Sequence, residues 1–302
     1  MNDRTNLIRA LLERCPGLSL EQNAPLAGYT SFAIGGPAAV LAQPKSAGEL
    51  AACLALCAQA GEEPVVLGSG TNVLVPDEGL DRVVIRTRGL DQVALTQEGL
   101  IRADCGLSLA RLAKFAWDQG LTGLEFAQGI PGSVGGGVLM NAGAYDGELS
   151  QVCVRTRVLL PEGTEAVYEG QDQGFGYRMS AFQNLGGVIL GSEFRLVPGD
   201  RQAIRARMEE LSVRRRASQP LELPSAGSTF KRPKTGYAAA MIDQAGCKGL
   251  RVGGAGVSEK HAGFVVNLGG ATAKDVRELM TQVQRRVYDR FGVELEPEVR
   301  LL

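Results

Sequence analysis

The sequence has a single histidine, no paired C-x-x-C spacing, no excess of basic residues and no long apolar run. Each absence excludes something. With 32 Lys and Arg against 33 Asp and Glu, the formal net charge is -1, so the basic surplus of a general nucleic-acid or membrane-surface binder is missing. No segment approaches the roughly 20 apolar residues that a membrane-spanning helix needs. The opening "MNDRTNLIRALLERCPG" is polar and charged rather than an apolar export segment, which leads us to expect a cytoplasmic protein. Six scattered cysteines read as reduced thiols, not as a disulfide framework or a zinc site. No metal site is expected.

What the sequence does hold is glycine. Forty glycines in 302 residues is about twice the usual ~7%, and they cluster, so the excess is local. The chain is long enough for two or three domains. "SAGELAACLALCAQAG" carries its own boundaries: Ser46 with Glu49 makes a capping box, and Gly61 before Pro64 stops the helix. Leu50, Cys53, Leu54, Cys57 and Ala58 share one face, which makes these two cysteines packing residues. "SLARLAKFAWDQG" repeats the pattern, with Leu109, Leu112, Ala113 and Ala116 at helical spacing and Gly120 at the end. Each helix delivers the chain toward a Gly-rich turn. Alternating segments such as "DQVALTQEGLIRADCG" and "QVCVRTRVLLPEGTEAVYEG" read as hairpins.

A mixed α+β body is therefore expected over residues 1–199, split into two parts near residue 85. A separate unit is expected over 200–302. It opens with a charged amphipathic helix and ends with a long helix capped at Thr272 and stopped at Gly292, with Val276, Leu279, Met280, Val283 and Val287 on one face.

Two stretches stand out, "GSGTN" at residues 68–72 and "GIPGSVGG" at residues 129–136. Small residues in succession expose backbone N–H groups, and such concave nests hold anions. Either stretch alone is equally a tight turn between strands. Neither is a P-loop, since no Gly-Lys-Ser/Thr follows, and neither fits the G-x-G-x-x-G dinucleotide fingerprint. Two nests in one α+β body favour a large diphosphate ligand. His261 stands out as a possible base on chemistry alone, and Arg214 to Arg216 reads as a solvated helix end.

The order of the motifs carries a resemblance. "YTSFAIGGPA", "VLGSGTNVLV", "GIPGSVGGGVLMNAGAYDGE", "YRMSAFQ", "PSAGSTFKRP", "GLRVGGAGVSEKHAGFVVN" and "FGVELEPEVRLL" resemble, in that order, the UDP-N-acetylenolpyruvoylglucosamine reductases of the compact type. The resemblance runs from about residue 20 to the end. It implies a two-part flavin-binding module of the vanillyl-alcohol-oxidase type, followed by a C-terminal α/β substrate domain. It implies noncovalent FAD held by Gly68, Ser69, Gly70, Thr71, Asn72, Gly129, Ile130, Pro131, Gly132, Ser133, Gly135 and Gly136, and NADPH as hydride donor. The implied substrate is UDP-N-acetylglucosamine enolpyruvate, met by Tyr177, Lys231 and Arg232, in a protein expected to be monomeric. Ser228 matches the family's proton donor, and Arg178 with Glu298 matches the pair on the substrate carboxylate. The resemblance makes His261 part of a turn. Two positions depart from the pattern: Asp146 in "GAYDGE" stands where glycine is usual, and Arg232 in "FKRP" replaces asparagine.

Overall fold

The computed structural model describes residues 3–302. Met1 and Asn2, the head of the polar opening segment, lie outside the described residues. The chain divides into two compact units. The first comprises residues up to Gln22, Val40–Ser69 and Arg82–Arg214; the second comprises Asn23–Ala39, Gly70–Asp81 and Arg215–Leu302.

Over residues 3–218, helices α1 (Asp3–Arg14), α2 (Ala47–Gln59), α3 (Leu109–Asp118), α4 (Val134–Leu139) and α5 (Arg201–Ser218) accompany two main sheets. One sheet has the strand order Ser19–Pro25, Pro37–Gln43, Leu80–Arg86, Val65–Leu67, and its last two strands run parallel. The other is an antiparallel sheet ordered Glu165–Glu169, Cys153–Leu159, Val188–Phe194, Ile101–Asp104, Val93–Leu95. The expected hairpins form its two edges.

The helix boundaries follow the sequence signals. Ser46 Oγ accepts the Glu49 N–H at 3.1 Å, and Glu49 turns its carboxylate to the Lys45 N–H instead of closing the box on Ser46. Leu109, Leu112, Ala113 and Ala116 are all buried. Each leucine taken out of water there contributes about 1.5–3 kcal/mol. All six cysteines are free and buried. Burial pushes the Cys53 and Cys105 thiols up to about 12 and those of Cys57 and Cys153 to about 11. At neutral pH these groups are inert hydrophobes.

The expected boundary at residue 200 is corrected. Ile204, Met208 and Leu211 of α5 pack into the core of the first unit together with Leu190, Phe194 and Leu196, so the break falls between Arg214 and Arg215. The expected single cut is also replaced by several, because residues 23–39 and 70–81 belong to the second unit. Periodicity identifies a helix and its apolar face. It does not say which core receives that face.

The second unit contains helices α6 (Ala238–Gln244) and α7 (Ala273–Phe291) and the antiparallel strands Arg251–Val252, Ala255–Val257 and Val265–Asn267. Thr272 and Asp275 cap α7 reciprocally, and Gly292 ends it at φ +66°. Asp77 accepts two further N–H groups of its first turn, from Ala273 at 2.7 Å and Lys274 at 3.0 Å. The five predicted apolar positions of α7 are buried. Strand Arg300–Leu301 pairs in parallel with Val73–Leu74, which follows the first Gly-rich stretch. No helix among the described residues is long and apolar enough to cross a membrane.

Candidate active site

The two nests are built differently. In the first, Gly68 and Ser69 belong to the first unit, and residues 70–72 to the second. A Cβ on Gly68 would stand 2.5 Å from Ser133 Oγ, so in the first unit Gly68 directly faces the second nest. Half-buried Arg88 brings a guanidinium to 3.5 Å from Ser69 Oγ and 3.2 Å from the Gly106 carbonyl. The sequence offered no signal for this cation beside the nest.

Residues 129–136 pass from a 3-10 turn into α4. The Leu109 N–H bonds the Gly132 carbonyl, and the N–H groups of Val134 and Gly135 are spent on the carbonyls of Leu107 and Cys105, at 2.8 Å each. A Cβ on Gly135 would lie 2.9 Å from Cys105 Cβ, whereas on Gly136 it would meet only Ser133 Oγ, at 3.8 Å. The two glycines are therefore not equivalent, as the motif suggested. Gly135 is required by the protein's own packing, and exposed Gly136 keeps outward space clear.

Ser133 supplies the test of whether an FAD diphosphate fits. Its Oγ is buried and has no hydrogen-bond partner among the described residues. Leaving such a hydroxyl unpaired costs about 1–3 kcal/mol, which a ligand oxygen beside Gly68 and Gly136 would remove. The residues fit the group.

Arg178 sits at the tip of a tight turn in the first unit. Gly176 and Met179 exchange both backbone hydrogen bonds, leaving Tyr177 and Arg178 between them. Arg178 has φ +54°, a left-handed conformation that L-residues adopt under constraint. The constraint is visible. Gln183 Nε2 donates to the carbonyls of Arg178 and Leu139, Ser180 Oγ donates to Leu139 O, and Asn141 Nδ2 donates to Gly176 O at 3.0 Å. Asn141, fully buried, also accepts the Ser150 N–H. The end of α4 thus clamps the turn that carries Arg178. Asn141 and Gln183 lay inside quoted motifs, but their work is long-range and has no periodic signature. Arg178 itself reaches the Gly143 carbonyl at 3.4 Å and lies 5.2 Å from the Tyr177 ring centre. Tyr177 is exposed.

In the second unit, Gly70 (φ +66°) is pressed against the Tyr29 carbonyl, which a Cβ would approach to 2.2 Å. Asn72 spends its side-chain amide on the Glu298 carbonyl at 3.1 Å, and its own carbonyl accepts the Arg300 N–H. Asn72, grouped with the cofactor residues by its motif, therefore holds Glu298 in place. Exposed Ser228 follows Gly227, at φ +78°. The next residue, Thr229, is buried, and its carbonyl accepts the Glu298 N–H at 2.9 Å; Phe230 and Pro297 form the adjoining bridge. Ser228 and Glu298 thereby stand on neighbouring extended segments. The "YTSF" motif supports the same loop, with Ser31 Oγ donating to the Ser225 carbonyl at 2.6 Å and Asn267 Nδ2 donating to Phe32 O at 3.2 Å. Lys231 pairs with Glu296, and the Arg232 guanidinium stacks 4.1 Å from the Tyr237 ring centre.

The Asp146 departure is accommodated. Tyr145 and Asp146 have φ +53° and +66° between the paired strands Gly143–Ala144 and Gly147–Glu148. A two-residue hairpin loop with both residues at positive φ is a type I′ geometry, in which aspartate is tolerated and glycine preferred. Asp146→Gly is expected to raise stability by about 0.5–1 kcal/mol, read from thermal unfolding; a lower midpoint would refute the strain argument.

Comparison with known proteins gives the family. A family model described as the UDP-N-acetylenolpyruvoylglucosamine reductase C-terminal domain matches residues 219–302, and an FAD binding domain model matches residues 37–167. The UDP-N-acetylenolpyruvoylglucosamine reductase of Lactobacillus johnsonii is 42% identical over 290 residues, 96% of each chain. That of Caldicellulosiruptor bescii is 45% identical over 289 residues, 95% of this chain and 91% of that one. The solved UDP-N-acetylenolpyruvylglucosamine reductase of Thermus caldophilus superposes with a TM-score of 0.80 at 36% identity, covering 94% of this chain and 98% of its own. The chain belongs to the UDP-N-acetylenolpyruvoylglucosamine reductase family of FAD-containing oxidoreductases.

Proposed function

We propose that this chain reduces UDP-N-acetylglucosamine enolpyruvate to UDP-N-acetylmuramate with NADPH, with Ser228 as proton donor and Arg178 and Glu298 serving the substrate carboxylate. The observation that supports this reading is the backbone pairing of Glu298 with Thr229, which brings a segment about 70 residues away next to the residue that follows the serine. FAD, when bound, carries the hydride from NADPH to C3 of the enolpyruvyl group.

The chain's own residues do the rest. Ser228 Oγ–H delivers the proton to C2, which completes reduction of the double bond. A hydroxyl is a weak acid, but the enolate that hydride addition creates is a strong base, so matching of the acid to neutral pH is relaxed. Arg178 offers a planar fork that a carboxylate accepts bidentately. Glu298 completes the pair assigned to the substrate carboxylate, where charge builds in the transition state. Removing one such partner typically costs about 3–4 kcal/mol of transition-state stabilisation. Gly68, Ser69, Ser133 and Gly136 are assigned to the FAD diphosphate. Tyr177, Lys231 and Arg232 are assigned to the nucleotide sugar, for which Lys231 must exchange its exposed Glu296 partner, a pair of small worth. We assign the flavin chiefly to the first unit and the nucleotide sugar chiefly to the second, and a monomeric state to the protein.

The test starts from purified yellow protein. NADPH should bleach the flavin, and the enolpyruvyl nucleotide sugar should restore its colour anaerobically. Restoration by oxygen alone would point to an oxidase. Acid precipitation should release the flavin into the supernatant, because the only histidine, His261, lies outside the residues assigned to FAD; flavin left on the pellet would contradict noncovalent binding.

A further inference from the structure

His261 is left over from the assignment above, and its surroundings are specific. It is half-buried in the second unit, on the turn between Ala255–Val257 and Val265–Asn267. Its Nδ1 accepts the Gly263 N–H at 3.1 Å. The Gly263 carbonyl accepts the Thr229 N–H at 2.8 Å, and Thr229 Oγ1 accepts the Val265 N–H at 2.9 Å. Ser258 Oγ accepts the N–H groups of Lys260 and His261 itself. The ring lies close over Gly263, where a Cβ would stand 3.0 Å from Cε1, and meets Phe264 edge-on at 5.0 Å.

We propose that neutral His261 is a positioning residue for Ser228, holding through Gly263 the backbone of Thr229, the residue that follows the proton donor. The proposal rests on the assignment of Ser228 as that donor. An imidazole that accepts at Nδ1 carries its proton on Nε2. Protonation adds an N–H at Nδ1, which faces the Gly263 N–H, and the bond is lost. Burial pushes the His261 pKa below the ordinary imidazole value, outweighing a hydrogen bond with its own backbone that raises it, and Lys248 acts in the same direction as burial. Lys248 is paired with Asp243; on the histidine's own turn stand Glu259 and Lys260, the latter 3.8 Å from Glu222. A lowered pKa keeps the acceptor form through neutral pH and loses it on acidification.

Because His261 is the only histidine, its ring resonances in the full-length holoprotein need no assignment. NMR should show the Nε2–H tautomer, titrating below the ordinary imidazole value; an Nδ1–H tautomer would overturn the proposal. Rapid-mixing absorbance then separates the half-reactions. His261→Phe keeps a ring but no acceptor, and should slow substrate-driven reoxidation by about tenfold, the scale of one lost hydrogen bond, while NADPH bleaching is unchanged. His261→Asn, whose Oδ1 replaces Nδ1, should reoxidise near the wild-type rate and lose the acidic decline that wild type shows. Wild-type reoxidation in His261→Phe, or an unchanged acidic decline in His261→Asn, overturns the proposal. If the Phe variant does not retain flavin, the Asn profile and the NMR titration decide. Ser228→Ala in the same assay keeps the two ideas apart. Slow Ser228→Ala with normal His261→Phe removes only the positioning role, and normal Ser228→Ala removes the proton-donor assignment beneath it.

Discussion

Ser228→Ala bleaches with NADPH at the normal rate and recovers its colour with the enolpyruvyl substrate several orders of magnitude more slowly. The first half-reaction passes a hydride and needs no proton from Ser228. The second leaves a basic carbon at C2 that must be quenched, and general acid catalysis is commonly worth ~10²–10⁴. The structure makes this a clean substitution. Ser228 is exposed, while its loop is held by Thr229, through Glu298, Gly263 and Val265, so removing one oxygen from the serine leaves those bonds intact. Ser228→Cys should retain more activity than Ser228→Ala, since a thiol still donates. Stopped-flow absorbance, one half-reaction at a time, reads both rates. Equal slowing of the two halves would show that Ser228 shapes the site instead of delivering the proton.

Gly136→Val is expected to give folded, colourless protein that takes up no FAD. A Cβ there would meet only Ser133 Oγ, at 3.8 Å, so a branched side chain grows out into the space assigned to the diphosphate. Gly135→Val should fail differently. Its Cβ would be forced to 2.9 Å from Cys105 Cβ and 3.3 Å from the Cys105 carbonyl that Gly135 N–H bonds. Overpacking of this kind costs roughly 1–3 kcal/mol and should lower the unfolding midpoint of the apoprotein. Flavin content per folded protein and thermal unfolding separate the two. Full flavin occupancy in Gly136→Val would reduce residues 129–136 to a structural turn.

Asp146 shows how a departure from a family pattern becomes interpretable. The sequence marked a missing glycine; the φ values of Tyr145 and Asp146 show that the loop geometry survives it. Asn72 and Gly70 show the converse. Both fit a phosphate-nest motif, yet one bonds Glu298 and the other makes room for Tyr29. A Gly-rich string says that something approaches the backbone closely. It does not say whether that something is a ligand or the chain itself.

The sequence by itself determined what local chemistry encodes. Helices α2, α3 and α7 follow from caps, spacing and terminal glycines. The packing role of Cys53 and Cys57 follows from the apolar face they share, and the family follows from ordered motifs, each readable within about twenty residues. The tertiary structure decided everything that depends on contacts between distant segments. It placed α5 in the first core through Ile204, Met208 and Leu211. It gave Gly135 and Gly136 different neighbours, clamped Arg178 with Asn141 and Gln183, and paired the backbone of Glu298 with that of Thr229, the residue after Ser228. The physical reason is that periodicity and propensity act over one or two turns of chain. Strand register and the partner of a buried polar group are instead fixed by packing among segments tens to hundreds of residues apart, where no local pattern repeats.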